Sequence, residues 1–340
     1  MNTRTWFIYL IIGVGILSML QSCNNVEPIP STVQYLEIPE GFPDIVFPED
    51  NEFTNKRWEL GKKLFFDPFL SRDSSVSCAT CHKPELAFAD NQATTNGVFN
   101  RPGTRNSPSL ANVAYSPYFV REGSVPSLEM QVLVPIQEHN EFNSNIVDLS
   151  EKLNAIPDYV QLAMDAYDRL PDPFVITRAI ATFERSIISG NSAYDDYING
   201  DSEALSQIEI EGMNLFNSSK TNCSSCHTGL FFTNHAFENN GLYVTYSDSG
   251  RMRFTGLEAD RALFKVPSLR NVAVTAPYMF DGSLATLEEV VNHYNSGGEV
   301  HPNKSSLVTS LNLTEDEKMA LIAFLSSLTD YKFSNNPNWK

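Results

Sequence analysis

The sequence predicts a mainly α protein made of two related halves, and three observations predict it. The pentapeptide Cys-x-x-Cys-His occurs twice, as Cys78-Ala79-Thr80-Cys81-His82 and Cys223-Ser224-Ser225-Cys226-His227. A stretch downstream of the first pentapeptide recurs downstream of the second. Apolar residues repeat at three-to-four spacing in several segments, while no long alternating strand pattern is present.

Each pentapeptide is the pattern of covalent c-type haem attachment. Two thiols two residues apart form thioethers to the haem edge, and the adjacent His reaches the iron from the proximal side. The chain has five cysteines, and four of them lie in these two motifs. A zinc or redox Cys-x-x-Cys with an incidental His is the weaker reading for a pattern that occurs twice. Two covalently bound haem c groups are therefore expected, with His82 and His227 as proximal iron ligands.

The repeat gives the architecture. Ser107-Pro108-Ser109-Leu110-Ala111-Asn112-Val113-Ala114 matches Val266-Pro267-Ser268-Leu269-Arg270-Asn271-Val272-Ala273. Pro117-Tyr118 matches Pro277-Tyr278, Gly123-Ser124 matches Gly282-Ser283, and Leu128-Glu129 matches Leu287-Glu288. The offset is constant apart from a one-residue shift in the middle. Two cytochrome c-like haem domains related by internal duplication follow, an N-terminal one over 51–200 and a C-terminal one over 201–340, joined near Asn199-Gly200-Asp201. Helices are expected over 53–66, 173–189, 203–216, 287–294 and 315–328, the last with Thr314 as N-cap and acidic residues in its first turn. The stretches between are rich in Pro, Gly and Asn, so long ordered loops should wrap the haems.

The N-terminus reads differently. Residues 6–20 form an apolar run preceded by Arg4 and ending in Leu20-Gln21-Ser22-Cys23. The run is short for a membrane span and right for a signal-peptide core. It resembles a bacterial lipoprotein signal: 1–22 would be removed, Cys23 lipidated, and 23–50, rich in Pro and acidic residues, would be a tether. Asn24 fits outer-membrane retention. The expected location is the periplasmic side of a Gram-negative envelope, held by the lipid alone. Covalent haem attachment outside the cytoplasm agrees with this.

Composition bounds the rest. An apolar content of 42% supports real cores. The net charge of −17 excludes nucleic acid as a partner, because phosphate binding needs clustered Lys and Arg. It permits a basic redox partner, and solubility alone explains it equally well. The sequence leaves the oligomeric state open, a homodimer included.

Aligning the two copies separates the irons. Tyr294, on the face of the 287–294 helix that also carries Val290 and Val291, corresponds to Pro135 in the first copy. A phenol oxygen can bind iron, whereas Pro has no side-chain donor. The second iron could be closed by Tyr294, with the thioether of Met279 as a rival ligand, while the first stays open. Read from the residues alone, Tyr294 serves equally as a core aromatic. Gln131, Pro135, Gln137, Glu138, His139 and Glu141 crowd one segment of the first copy. Splitting an O–O bond needs a base that takes the peroxide proton and returns it to the leaving oxygen, and an amide that holds the peroxide. The residues alone leave open which acid points inward.

The chain resembles the bacterial di-haem cytochrome c peroxidase family, including its methylamine-utilisation (MauG-type) branch. The resemblance covers about 58–328. It rests on both pentapeptides, on Arg105-Asn106-Ser107-Pro108-Ser109-Leu110, on Leu128-Glu129-Met130-Gln131 with Pro135-Ile136, and on Lys265-Val266-Pro267-Ser268-Leu269-Arg270-Asn271-Val272. It implies that Gln131 and Glu141 are the distal catalytic pair, that Pro135 lies over the first iron, and that Tyr294 closes the second. It also implies one calcium ion between the haems, held by Asn106 and by backbone oxygens near Lys265 and Pro267. The implied activity is reduction of hydrogen peroxide to water, with electrons from a small cytochrome c or copper protein. A MauG-type oxidase acting on a protein or organic substrate is the alternative. A di-haem electron carrier is a third reading and would need a sixth ligand such as His139 at the first iron. Three departures stand out. Residues 83–101 hold no His, so the first iron should be open from the outset. Arg121-Glu122-Gly123 stands where the family usually has a Trp before Asp-Gly, and Phe280 stands where a His is common; Tyr118 or Phe119 is the candidate substitute for the missing Trp.

Overall fold

The helices begin where side chains can satisfy their first amides. In the computed structural model, which describes residues 35–339, α1 (Asn55–Phe66) opens on Thr54, whose hydroxyl accepts from the Arg57 amide at 3.2 Å. The expected signal, Cys23 and the first part of the tether lie outside the described residues. α2 (Pro173–Arg185) opens on Asp172, which accepts from Val175 N at 2.8 Å, with Pro173 at the first helical position. α3 (Gln207–Phe216) starts later than its periodicity suggests because Ser206 and Glu209 form a capping box there. α4 (Leu287–Ser296) is capped by Thr286, and α5 (Glu315–Ser327) by the expected Thr314, in a capping box with Glu317.

α1 packs on α2, and α3 packs on α5. Both crossings are made by a glycine. A Cβ on Gly61 would lie 1.9 Å from the Ala179 carbonyl oxygen, and one on Gly212 would lie 1.9 Å from that of Ala320. One turn further along, Phe183 and Phe324 are fully buried. Each pair anchors its own apolar cluster: Trp58, Phe65, Phe88 and Phe183 in the first, Phe216, Phe232, Leu321 and Phe324 in the second.

Matched asparagines tie the loops to these helix pairs. Asn112 and Asn271 both adopt left-handed backbone, with φ of 61° and 62°. Asn112 N donates to Ile187 O at 2.8 Å and its Oδ1 accepts from Ser189 N at 3.0 Å. Asn271 N donates to Leu328 O at 3.0 Å and its Oδ1 accepts from Asp330 N at 2.8 Å. This is why α2 stops at Arg185 and not at 189: residues 187–189 leave the helix to pair with Asn112. Ser189 also joins the two asparagines, accepting from Asn112 Nδ2 and Asn271 Nδ2, each at 2.9 Å, through its carbonyl and its hydroxyl.

Residues before and after 199–201 alike pack with the second cluster. Tyr194 packs edge-on against Phe232 and Phe324 of the second core, and Asp195 is fastened to Arg270 by two bonds of 2.9 Å. The chain end then returns to the first core, where Trp339 meets Phe88 at 5.6 Å and Phe183 at 6.0 Å. The described part of the expected tether is also no free linker. Tyr35 stacks on Trp58 at 3.9 Å, Phe42 sits edge-on to Phe231 at 5.4 Å, and the Tyr115 hydroxyl donates to Pro43 O at 2.9 Å. Its Pro-rich backbone is stiff and extended, so its aromatic rings can be laid along the body at little entropic cost.

Among the described residues the only sheet is a pair of two-residue antiparallel strands, Phe237–Glu238 and Phe264–Lys265. No helix of the described residues is long and apolar enough to cross a membrane.

Candidate active site at the two cysteine pairs

Each cysteine pair occupies a single helical turn, Cys78–Cys81 and Cys223–Cys226, and each turn ends on its histidine. His82 N donates to Cys78 O and His227 N to Cys223 O, both at 2.9 Å. The rings are then fixed from behind. His82 Nδ1 lies 2.8 Å from Phe88 O, and His227 Nδ1 lies 3.2 Å from both Phe232 O and Pro267 O. A carbonyl only accepts, so Nδ1 carries the proton and the Nε2 lone pair is free in both rings. Burial lowers both imidazoles, against the opposite pull of these carbonyls, and keeps them neutral. A neutral imidazole with a carbonyl on its rear nitrogen is the donor a haem iron takes, and the four thiols are unpaired. The residues fit a covalently attached haem at each pair.

The second site opens on a cavity of about 390 Å³, lined by Cys223, Cys226 and His227 and walled by apolar side chains such as Phe216, Leu269 and Val291. Tyr294 and Met279 both line it, as does Asn240. The Asn240 amide donates to Met279 Sδ at 3.2 Å and is also hydrogen-bonded to Tyr294. Burial pushes the Tyr294 phenol up, and the Asn240 bond acts in the opposite direction. One NH2 has two hydrogens, so Asn240 can hold both rival ligands at once. Nothing in the sequence around Asn239-Asn240-Gly241 marks that role. His293 is turned aside, its Nε2 3.1 Å from Asn240 O.

At the first site, Gln131 ends the short helix Leu128–Gln131, and Pro135 lies in the next, Leu133–Gln137. Phe142 N donates to Pro135 O at 3.2 Å and Ser144 N to Ile136 O at 2.8 Å, which folds the chain back and returns Glu141 beside Pro135. A second loop grips Glu141 from outside: Val98 N donates to Glu141 O at 2.9 Å. Gly97 permits the approach, since a Cβ there would lie 2.0 Å from Asn140 O. Glu141 keeps an exposed surface. Desolvation, then the charge of Glu138, pushes its carboxyl up to about 7. Burial and then Glu141 push the Cys81 thiol up to about 11, so acid and attachment site share one field.

Gln131 is held through its neighbour. Glu129 takes Arg185 Nη1 at 2.5 Å and Nη2 at 2.9 Å, and Asn51 Nδ2 at 3.0 Å, all buried. Beside Arg185, Glu184 is buried with no partner for Oε2. Burial pushes its carboxyl up to about 8, Arg185 opposes the rise and Glu129 adds to it, and its charge acts on Cys78. In the α3–α5 pair the corresponding residue is Leu325, which lines the second cavity. His139 is exposed and lies 3.3 Å from Arg101 Nη1 through its own Nδ1.

The expected calcium ligands Asn106, Lys265 and Pro267 line one cavity, and the oxygens of Asn106 already accept from an arginine. Asn106 O accepts from Arg121 Nη2 at 2.7 Å and from Nε at 3.2 Å, and Asn106 Oδ1 accepts from Nη2 at 3.1 Å. The Pro267 carbonyl is taken by His227. Lys265 lies beside this cluster with its amide donating to Arg121 O at 2.8 Å. No group of three acidic, His or Cys residues able to hold a metal ion exists among the described residues. Phe119 is buried against Leu128 and Ala181, and Tyr118 meets Phe237 at 5.6 Å. Tyr115 lines the second cavity, stacked on Phe231 at 4.5 Å.

Known proteins share this arrangement. The family described as di-haem cytochrome c peroxidase matches residues 55–203. The methylamine utilization protein MauG of Methylorubrum extorquens is 38% identical over 85% of this chain and 82% of its own. The cytochrome c551 peroxidase of Nitrosomonas europaea is 35% identical over 80% of this chain and 79% of its own. A solved MauG-like protein associated with microbial copper homeostasis superposes with a TM-score of 0.85, at 30% identity over 89% of this chain and 98% of that one.

Proposed function

We propose, for a chain that belongs to the di-haem cytochrome c peroxidase family with its MauG branch, that it reduces hydrogen peroxide to water with electrons from a small redox protein. It is an oxidoreductase acting on peroxide, and what is proposed is how its residues divide the work. The haem at each cysteine pair supplies iron that binds peroxide or carries electrons. The two halves are read as an internal duplication, one peroxidatic and one electron-transferring.

His82 and His227 would hold the two haems through their free Nε2 nitrogens. At the first site Glu141 takes the proton from one peroxide oxygen and returns it to the departing one. Gln131 orients the peroxide by hydrogen bonds without changing its own charge. Pro135 offers no ligand there. Two electrons and two further protons complete two waters. At the second site Tyr294 would be the further ligand of the haem, with Asn240 hydrogen-bonded to its phenol. The observation that carries this reading is the placement of Glu141, returned beside Pro135 and near enough to the first cysteine pair to act on Cys81, with its carboxyl pushed up by desolvation, where a group that accepts and returns a proton is needed. Location on the periplasmic side, with a lipid on Cys23, fits covalent haem attachment.

Steady-state peroxide reduction with a reduced cytochrome c and with a copper protein tests the reading. Glu141→Gln should lower turnover by about 10²–10⁴-fold with the haem spectra intact. An unchanged rate would remove Glu141 from the proton path. The MauG-type reading is favoured by Tyr294 at the second cavity and by the relative at 38% identity. Peroxide-dependent oxidation of an organic or protein substrate, with no turnover of small donors, would select it.

A further inference from the structure

The cluster around Arg121 is built for a cation and already contains one. Asn106 is 6% exposed and fixed on both sides, its amide donating to Phe280 O at 2.9 Å and its Nδ2 to Gln92 O at 3.1 Å. Its two oxygens are thereby turned to one point. The guanidinium of Arg121 sits at that point and donates to both. A planar fork of N–H groups matches such an oxygen pair.

The surroundings exclude a second positive ion. The nearby carboxylates Glu122 and Asp248 are both taken by Arg105, Asp248 through two bonds of 2.6 and 3.0 Å. Lys265 Nζ lies in the same cluster, donating to Ser116 Oγ at 3.0 Å and Tyr118 O at 2.8 Å. A dication would face Arg105, Arg121 and Lys265, and of the carboxylates acting on Arg121 only Asp281 is not bonded to Arg105. Calcium also takes about six to eight oxygens, and those of Asn106 and Pro267 are committed elsewhere.

We propose that the Arg121 guanidinium is the built-in cation of this chain, replacing a calcium ion between its two haem sites, so that the protein holds its structure without a metal ion there. A guanidinium stays charged at neutral pH even where it is buried. The residue that removes the usual aromatic bridge is, on this view, the one that makes calcium unnecessary.

The test uses the haem-loaded protein, measuring bound calcium by elemental analysis and thermal unfolding in calcium chloride and in a chelator. The wild type should carry far less than one calcium per chain and unfold at the same temperature in both. A tightly held calcium at one per chain, or a chelator-induced drop in the unfolding temperature, would overturn the proposal. Arg121→Gln removes the charge and should bind calcium and unfold later when it is added; failure of the folded variant to respond would show that the Asn106 oxygens are no cation site. Arg121→Lys keeps a cation and should stay calcium-free, and calcium uptake by it would also count against the proposal. The wild-type measurements decide the matter even if Arg121→Gln does not fold.

Discussion

Glu141 and Glu184 are two carboxyls raised by the same cause, loss of water, yet their consequences differ. Glu141 is exposed and is the residue proposed to meet peroxide, so its ionisation should show in the rate. A base must be deprotonated, and kcat/KM for peroxide should rise as pH increases through about 7 and level off above it, an inflection missing from Glu141→Gln. Glu184 faces no solvent, so its ionisation should show in stability. Its folded carboxyl titrates near 8 and its unfolded one near 4.5, so the folded state holds the extra proton between those values. Stability from this group is full below about 4.5 and is lost as pH rises to about 8. Glu184→Gln should therefore unfold at a progressively higher temperature, relative to wild type, as pH increases from 5 to 8; a constant difference would count against this account. Glu141 was legible from the resemblance and the crowded 131–141 segment. Glu184 was not, because a Glu on a helix with apolar periodicity looks like a solvated position until its neighbours are known. Asn240 and Gly97 were equally hidden, since their roles depend on chain segments distant in sequence.

At the scale of elements, the helices were readable because their starts are written locally. Thr314 followed by Glu317, and Asp172 followed by Pro173, satisfy the first amides without help from the rest of the fold. Their ends were less readable, since α2 stops where Asn112 draws the chain away. Gly61 and Gly212 were invisible as packing residues, because a glycine inside a helix reads as a weakness. They let one helix backbone touch another, and no rotamer change can relieve a clash with a carbonyl oxygen. Gly212→Ala should force α3 from α5 and destabilise the protein by about 1–3 kcal/mol or more, measured by denaturant unfolding. Gly61→Ala should do the same at α1 and α2. A neutral outcome at both would mean that the helix pairs are not in direct backbone contact.

Across the molecule, the sequence repeat suggested two matched halves but not the route of the chain between them. Asn112 and Asn271 belong to the repeat and meet at Ser189, while the rest of the junction is made by residues outside it. Asp330 Oδ2 accepts from the amides of Gly190 at 3.0 Å and Asn191 at 2.9 Å, which fastens the end of α5 to the connection after α2. Beyond it, Phe333 and Trp339 fill the first core. Trp339→Ala should cost about 3–5 kcal/mol, as for a large buried aromatic, and the loss should be seen around Cys78 rather than Cys223 by hydrogen exchange. Equal loss of protection at both pairs would place the side chain at the junction instead.

The return of the last residues also limits how the chain can be divided. A segment holding the first cluster's helices alone would lack the rings of Phe333 and Trp339, which reach that cluster from beyond the second one.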